Sequence, residues 1–357
     1  MMKNLISKIA LSLSIAAFLC LVVFAVGSGF KLHTGLEDDD RFSVSMVTDG
    51  GGINDQSFQE SAWKGMQQFA SETDSHVSYV ECPQTSDFLI NIDKLADEHT
   101  DLIWGIGYKL ADTIELAAKT NPELKYALAD FTYGEKIPDN VACAVFRSQE
   151  SSFMVGYIAA MTTKTNCVGF VGGIKGLVID QFEYGYLAGV AYASKKLGKE
   201  VNVRVQYAES FTDSAKGKAI AMKMFDECDV IFHASGGAGV GVIEAAKETG
   251  KFAIGVDLDQ SYLAPNNVLT SAIKDVGKAV NLISKDALNG EEIGGKTFSY
   301  GIKENCVGIP EKNPNMNPEV YAAVLKVKDK LAEGKIVPPG TKADYDEFIK
   351  RLPELNA

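Results

Sequence analysis

Residues 42–65 read FSVSMVTDGGGINDQSFQESAWKG, and the reading of this stretch decides the fold. Residues 42–47 form an apolar run suited to a strand, and 48–55 are polar and rich in glycine. Ser57 can open a helix in which Phe58, Ala62, Gly65, Met66 and Phe69 recur at about 3.6-residue spacing. A strand that runs into a glycine turn and then a helix N-terminus is where open α/β sheets hold ligands. Gly50, Gly51 and Gly52 allow close backbone approach. Ser57 as N-cap would leave the first N–H groups of the helix facing the cleft. Phe58 is a large ring on the first turn, beside a polar loop. It reads equally as a ring packed on the sheet and as a ring turned to a ligand.

Working outward, apolar runs alternate with helical periodicity. Strands are expected at 43–47, 77–82, 102–105, 126–129 and 141–146, with helices at 57–71, 87–98 and 109–119 between them. The pattern then restarts. A helix at 149–163 leads to CVGFVG (167–172), a strand that ends in a glycine pair as the first one does. Helices at 178–197, 213–225 and 239–249 alternate with strands at 201–206, 230–234, 252–256 and 268–273. A helix at 274–288, a strand at 298–301 and helices near 318–333 and 344–352 close the chain. Alternation of this kind calls for parallel sheets with right-handed crossovers. Two such domains facing each other leave a cleft lined by strand C-termini.

The chain has 357 residues, room for two domains of ordinary size, and a formal net charge of −12. Residues 1–27 carry Lys3 and Lys8 and no acid, so the remainder carries −14. That balance argues against a nucleic-acid partner, which needs a basic face. Lys3 and Lys8 precede an apolar run over 9–26, and Ala25-Val26-Gly27 offers a small-x-small cleavage pattern before Ser28. The run is also long enough to serve as an uncleaved anchor. Cys20 offers lipidation, although Leu19 stands where a lipobox has a small residue. Each outcome places the folded part outside the cytoplasm. Residues 28–41 read as a tether. The six cysteines and four histidines show no metal spacing, and the cysteines read as buried thiols.

The strand-end loops supply the candidate ligand groups. The first domain offers Asp49, Asn54, Asp55, Ser57 and Phe58, then Gly107 and Tyr108, then Asp130. The second offers residues 172–175, Phe211, a loop at 235–239 with Gly236 and Gly237, and Asp257, with Lys274 following the next strand. Asp130 and Asp257 each directly follow an apolar strand, where a carboxylate without a partner is costly. The loop HASGGAGVG (233–241) spaces glycines as Gly237-x-Gly239-x-Gly241, lacks the phosphate-loop lysine, and is no dinucleotide fingerprint. His233 faces no evident nucleophile and reads as a core residue.

These residues carry a resemblance. The opening stretch, with LIWGIGYKLADTI, FRSQESSFMVGYIAA, VGFVGGIKGLVIDQFEYGY, ASGGAGVGVIEAAKETG, IGVDLDQSYLAPNNVLTSAIKD and VGIPEKNP, resembles the basic membrane protein family over roughly 42–312. These are extracytoplasmic, usually lipid-anchored, substrate-binding proteins of ABC transporters, some of which bind purine nucleosides. The resemblance implies a type I periplasmic-binding-protein fold: two doubly wound parallel-sheet domains, three crossovers, and a ligand cleft between them. It implies a first domain over 42–148 and 274–312, a second over 149–273, and a helical segment at 313–357 packing back on the body. It also implies that a base lies between Phe58 and Phe211, with Asp130 in the cleft and Asp257 and Lys274 on the ribose. Asp49, Asn54, Ser57, Gly236 and Gly237 complete the expected ligand-binding set.

The chain departs from the family's D-D-K-S-F-N run, with Asn54 at its first position and Gln59 at its last, which leaves the base preference open. The expectation is therefore a binding protein and no enzyme. It would be a monomer without cofactor or metal, tied to the membrane and working with an ABC permease on a purine nucleoside. A sugar or signalling-molecule receptor of the same fold, and a surface adhesin, are the alternatives.

Overall fold

The computed structural model describes residues 41–355. The export segment at 1–27, with Cys20, and the tether at 28–41 up to its last residue lie outside the described residues.

Two six-stranded sheets organise the chain. In the first, β1 (Ser43–Thr48) lies between β2 (His76–Val80) and β3 (Leu102–Ile106), followed by β4 (Lys125–Ala129) and β5 (Val141–Phe146). All of these pairings are parallel. Helices α1 (Phe58–Thr73), α2 (Phe88–Asp97) and α3 (Ala111–Thr120) make the crossovers. The second sheet repeats the order: β6 (Cys167–Gly172) lies between β7 (Asn202–Tyr207) and β8 (Val230–Ala234), followed by β9 (Phe252–Asp257) and β10 (Val268–Lys274). Its helices are α4 (Ser148–Thr162), α5 (Leu177–Leu197), α6 (Ser214–Met224) and α7 (Ala238–Thr249). Central strands such as β3, β6 and β8 are buried throughout, as expected where helices cover both faces of a parallel sheet. Strand order reverses beside β1 in one lobe and beside β6 in the other. These are the switch points where doubly wound sheets open a crevice.

The chain passes between lobes three times: from β5 into α4, from β10 into α8 (Val276–Leu288), and from β11 (Lys296–Tyr300) to β12 (Val307–Gly308). The crossing segments are tied to one another. Arg147 N–H donates to the Tyr300 carbonyl at 2.8 Å, and Asp275 N–H to the Cys306 carbonyl at 2.7 Å. Helix α8 lies so close on α1 that a Cβ on Gly65 would fall 2.1 Å from the Gly277 carbonyl oxygen.

Three details differ from the sequence reading. Val307–Gly308 pair antiparallel with β10, so the chain after β11 returns to the second sheet and does not stay with the first lobe to 312. A two-residue strand carries too little periodicity to be read. Lys274 is the last residue of β10 and not the start of a helix; Asp275 caps α8 by accepting from Lys278 N–H. Ser57 sits at the N-cap of α1 without capping it. The C-terminal helices α9 (Pro318–Ala332) and α10 (Lys342–Arg351) pack on the second lobe, with Phe348 edge-on to Phe153 at 5.9 Å.

Candidate ligand cleft

The loops at the C-terminal ends of both sheets enclose a cavity of about 390 Å³, within the range of small-molecule sites. Of the ten residues anticipated, Asp49, Phe58, Asp130, Phe211, Gly236, Asp257 and Lys274 line it. Asn54 is exposed and does not. Its carbonyl only accepts from the Gln56 side chain, because the turn directs residue 54 outward. Ser57, wholly buried, and Gly237, half-buried, do not line it either.

Asp55 does the capping expected of Ser57. Its Oδ1 accepts from the N–H groups of Ser57 at 2.9 Å and Glu60 at 3.0 Å, and its Oδ2 from that of Gln59 at 3.0 Å. The hydroxyl of Ser57 is thereby released, and it donates to Asp257 Oδ2 in the opposite lobe. Desolvation pushes the Asp55 carboxyl up, against the pull of those backbone donors.

Asp130 and Asp257 occupy similar places, Asp130 directly after β4 and Asp257 as the last residue of β9. Both adopt the left-handed backbone region, with φ of 65° and 64°. Aspartate tolerates that region better than bulky residues, and such conformations collect at functional sites. Lys274 reaches from the second lobe to form an ion pair with Asp130, both side chains being almost wholly buried. Its Nζ also lies 4.6 Å from the centre of the Phe58 ring, 5.1 Å from Phe146 and 5.8 Å from Phe182. A desolvated ammonium over aromatic faces is held by their quadrupoles. Burial pushes the Asp257 carboxyl up to about 6, with Lys274 and the Ser57 hydroxyl acting in the other direction.

At the other side of the cavity stand Asp49, Gln59 and Lys109. Gln59 Nε2 donates to Asp49 Oδ1 at 2.9 Å and to the Ile106 carbonyl at 3.1 Å. Lys109 Nζ donates to the Asp49 carbonyl at 3.3 Å and lies 5.5 Å from the centre of the Phe211 ring, again across the lobes. Desolvation pushes the Asp49 carboxyl up to about 6; Lys109 opposes this, and Asp130 and Asp55 add to it. Gly107 has φ of 122°, and a Cβ there would meet the Asp49 carboxylate at 2.1 Å. Gly173 makes room for Phe211 in the same way, since a Cβ on it would fall 2.2 Å from the ring.

The lining carries the carboxyls of Asp49, Asp55, Asp130, Glu209 and Asp257 against the ammonium groups of Lys109 and Lys274. The arrangement suits a neutral, donor-rich ligand with flat apolar faces and disfavours an anion. His233 lies in the core; its Nε2 meets Gln260 Oε1 at 2.9 Å, and burial lowers its pKa to about 4. Among the described residues no group of His, Cys, Asp and Glu is arranged to hold a metal ion, and no helix is long and apolar enough to cross a membrane.

Sequence reasoning did not select Lys109, Ile179 or Phe182 as lining residues. Lys109 stands one residue past the glycine-tyrosine pair that was read as loop. Ile179 and Phe182 belong to the apolar stripe of α5, and periodicity alone does not separate a stripe facing a cavity from one facing a core.

Comparison with known proteins agrees with this architecture. Residues 42–342 match the family model described as ABC transporter substrate-binding protein PnrA-like. Basic membrane protein A of Borreliella afzelii is 42% identical over 315 residues, covering 87% of this chain and 95% of that one. The CD4+ T-cell-stimulating antigen of Listeria monocytogenes is 38% identical over 360 residues, covering 95% and 99%. Among solved structures, an ABC transporter solute-binding protein from Aeropyrum pernix K1 superposes with a TM-score of 0.78 at 27% identity, covering 88% of this chain and 98% of that one. An arabinose-binding protein from Geobacillus stearothermophilus shares the fold at a TM-score of 0.58 and 14% identity, covering 76% and 96%. The fold is that of type I periplasmic solute-binding proteins.

Proposed function

The chain belongs to the family of PnrA-like ABC transporter substrate-binding proteins, and on that premise we propose that it captures a purine nucleoside between its lobes for uptake. Proteins of this family bind a small solute outside the cytoplasm and work with a membrane permease.

The observation that carries the nucleoside reading is the cross-lobe cluster of Lys274, Asp130 and Asp257 in one cavity with the rings of Phe58 and Phe211. A ribose presents hydroxyl donors that charged carboxylates accept strongly. A base presents π faces, and stacking on an aromatic ring is worth about 1–3 kcal/mol per contact. Micromolar affinity needs only about 8 kcal/mol, so two stacks and a few charge-assisted hydrogen bonds suffice. The surplus of carboxyls over lysines favours the uncharged nucleoside over its phosphates.

Calorimetry on the purified protein, stripped of bound solute by unfolding and refolding, tests the proposal. Adenosine, guanosine, inosine and ribose are titrated in turn. Micromolar or tighter binding of a purine nucleoside is expected, and no heat with any nucleoside would overturn the reading. Heat with ribose alone would select a sugar receptor of the same fold. Export by the N-terminal segment belongs to the same proposal, and the intact mass of the processed protein separates cleavage before Ser28, lipidation at Cys20 and retention of the whole segment.

A further inference from the structure

Cys167 and Cys228 bring two sulfurs together inside the second lobe. Cys167 opens β6, and Cys228 lies in the connection from α6 to β8. Their Sγ atoms are 3.1 Å apart, inside the sum of two sulfur van der Waals radii, and both residues are buried. Spacing along the chain gives no sign of the pair, because 61 positions separate the two. Cys82 and Cys306 meet other partners: the Asn91 amide donates to Cys82 Sγ at 3.1 Å, and Cys306 Sγ donates to the Glu304 carbonyl at 3.6 Å.

The backbone holds the pair in place. Val168 of β6 is in register with Val230 of β8, and Asp229 N–H donates to the Cys167 carbonyl at 3.4 Å. Cys228 therefore sits diagonally across from Cys167, one residue out of register. Parallel strands lie about 4.8 Å apart and rise about 3.3 Å per residue, so that offset sets two Cα atoms about 6 Å apart. Disulfides span Cα separations of about 4.4–6.8 Å. The flanking turns are tied down as well. The Asp229 carboxylate accepts from the Thr163 hydroxyl at 2.5 Å, from Lys164 N–H at 2.6 Å and from Thr165 N–H at 3.2 Å, and the Cys228 carbonyl accepts from Lys251 Nζ at 2.9 Å.

We propose that Cys167 and Cys228 are joined as a disulfide when the chain folds outside the cytoplasm, stapling the start of β6 to the approach to β8. The proposal rests on the export reading above, because disulfides persist in oxidising compartments and cytosolic reductants remove them. The oxidant is a disulfide of that compartment, carried by a thiol oxidoreductase or by a small molecule. One cysteine thiolate attacks the donor disulfide, forms a mixed disulfide and expels one donor thiolate. The second cysteine thiolate then attacks the sulfur of the first and expels the other donor thiolate. The chain loses two electrons and two thiol protons, and the donor ends as two thiols. The exchange belongs to folding. In the folded lobe, burial and the facing Cys167 push the Cys228 thiol up, which leaves little thiolate to react. The closed loop contains α5, β7, α6 and Phe211, so the staple braces one wall of the cleft from the far ends of its strands.

The test is a peptide map of the full chain, made with its own export segment and recovered from outside the cytoplasm. The protein is unfolded with an alkylating reagent present, with and without prior reduction, and cut with trypsin. Cys167 falls in the peptide 165–175 and Cys228 in 224–247. Without reduction the two are expected to appear joined, two hydrogens lighter than the sum of their thiol forms, and to separate after reduction. A reductant is expected to lower the thermal unfolding midpoint of the wild type by about 5 °C or more and to leave that of Cys167→Ala with Cys228→Ala unchanged. Should the variant fail to fold, the peptide map decides alone. Both peptides fully alkylated without reduction in the exported chain, or either joined to a different cysteine, overturns the staple and leaves the nucleoside reading standing. A chain recovered only from the cytoplasm with both thiols free overturns the export reading and the staple with it.

Discussion

Replacing Lys274 by methionine removes one charge at the point where both lobes meet, and its consequences for stability and for binding separate. The ammonium is 2% exposed, paired with Asp130 and set over Phe58, Phe146 and Phe182. Methionine fills nearly the same volume and keeps an apolar contact with the three rings, so cavity formation contributes little. The cost lies in the carboxyls left behind. Asp130 loses its partner while 9% exposed, and breaking a buried ion pair from one side typically costs about 3–5 kcal/mol. Asp257, already pushed up to about 6 by burial, loses the neighbour that holds it down and moves further up. The double variant Lys274→Met with Asp130→Asn removes the stranded charge. It is expected to recover at least half of the lost stability and none of the affinity for nucleoside, because the groups proposed to hold the ribose are gone. Urea unfolding at pH 7 followed by fluorescence gives the stability of the wild type, both single variants and the double, and calorimetry gives the affinities. A single variant within about 1 kcal/mol of wild type, or a double variant as unstable as Lys274→Met, would refute the account of a charge stranded by loss of its partner.

Other outcomes follow from the same geometry. Phe211→Ala removes one ring of the cleft and should weaken nucleoside binding about tenfold or more, with little change in the unfolding midpoint; an unchanged affinity returns Phe211 to packing alone. The folded-state pKa of Asp257 is raised from the ordinary carboxyl range to about 6, so the folded chain holds that proton more tightly than the unfolded chain. Its contribution to stability is therefore present below about pH 4 and lost as pH rises through 6, by at most about 3 kcal/mol. Urea midpoints of wild type minus Asp257→Asn, measured from pH 4 to 7.5, should fall along that window, and a flat difference contradicts it. Gln260 Nε2 donates to the Gln56 carbonyl at 2.9 Å, and the exposed Tyr262 hydroxyl to the Gln56 side chain, joining the lobes through protein atoms alone. Gln56→Ala with Tyr262→Phe removes the side-chain bond and leaves the Gln56 carbonyl its bond from Gln260; it should loosen closure, raise the radius of gyration seen by X-ray scattering, and weaken nucleoside binding about three- to tenfold. An unchanged radius with unchanged affinity dismisses that latch.

Local chemistry made much of the architecture legible. The apolar runs that became β1, β3, β6 and β8 stand out because a strand buried on both faces has no polar alternation to blur it. Glycine loops mark their ends, while Asp130, Asp257 and Phe211 stand at or just past the ends of β4, β9 and β7. The failures are equally physical. Ser57 has the right residue type for a cap, yet Asp55, two residues earlier, reaches the same N–H groups with a charge. Asn54 has the right chemistry for a ligand and the wrong direction, since a turn of several polar residues does not declare which of them faces inward.

The sequence by itself determined the alternation of strand and helix, the duplication of that pattern, the acidic balance and the family, all of them properties of neighbours along the chain. Only the tertiary structure decided which groups meet. Asp130 and Lys274 are separated by 144 positions and Ser57 and Asp257 by 200. Each of those contacts forms because three crossings bring the strand ends of two separate sheets together.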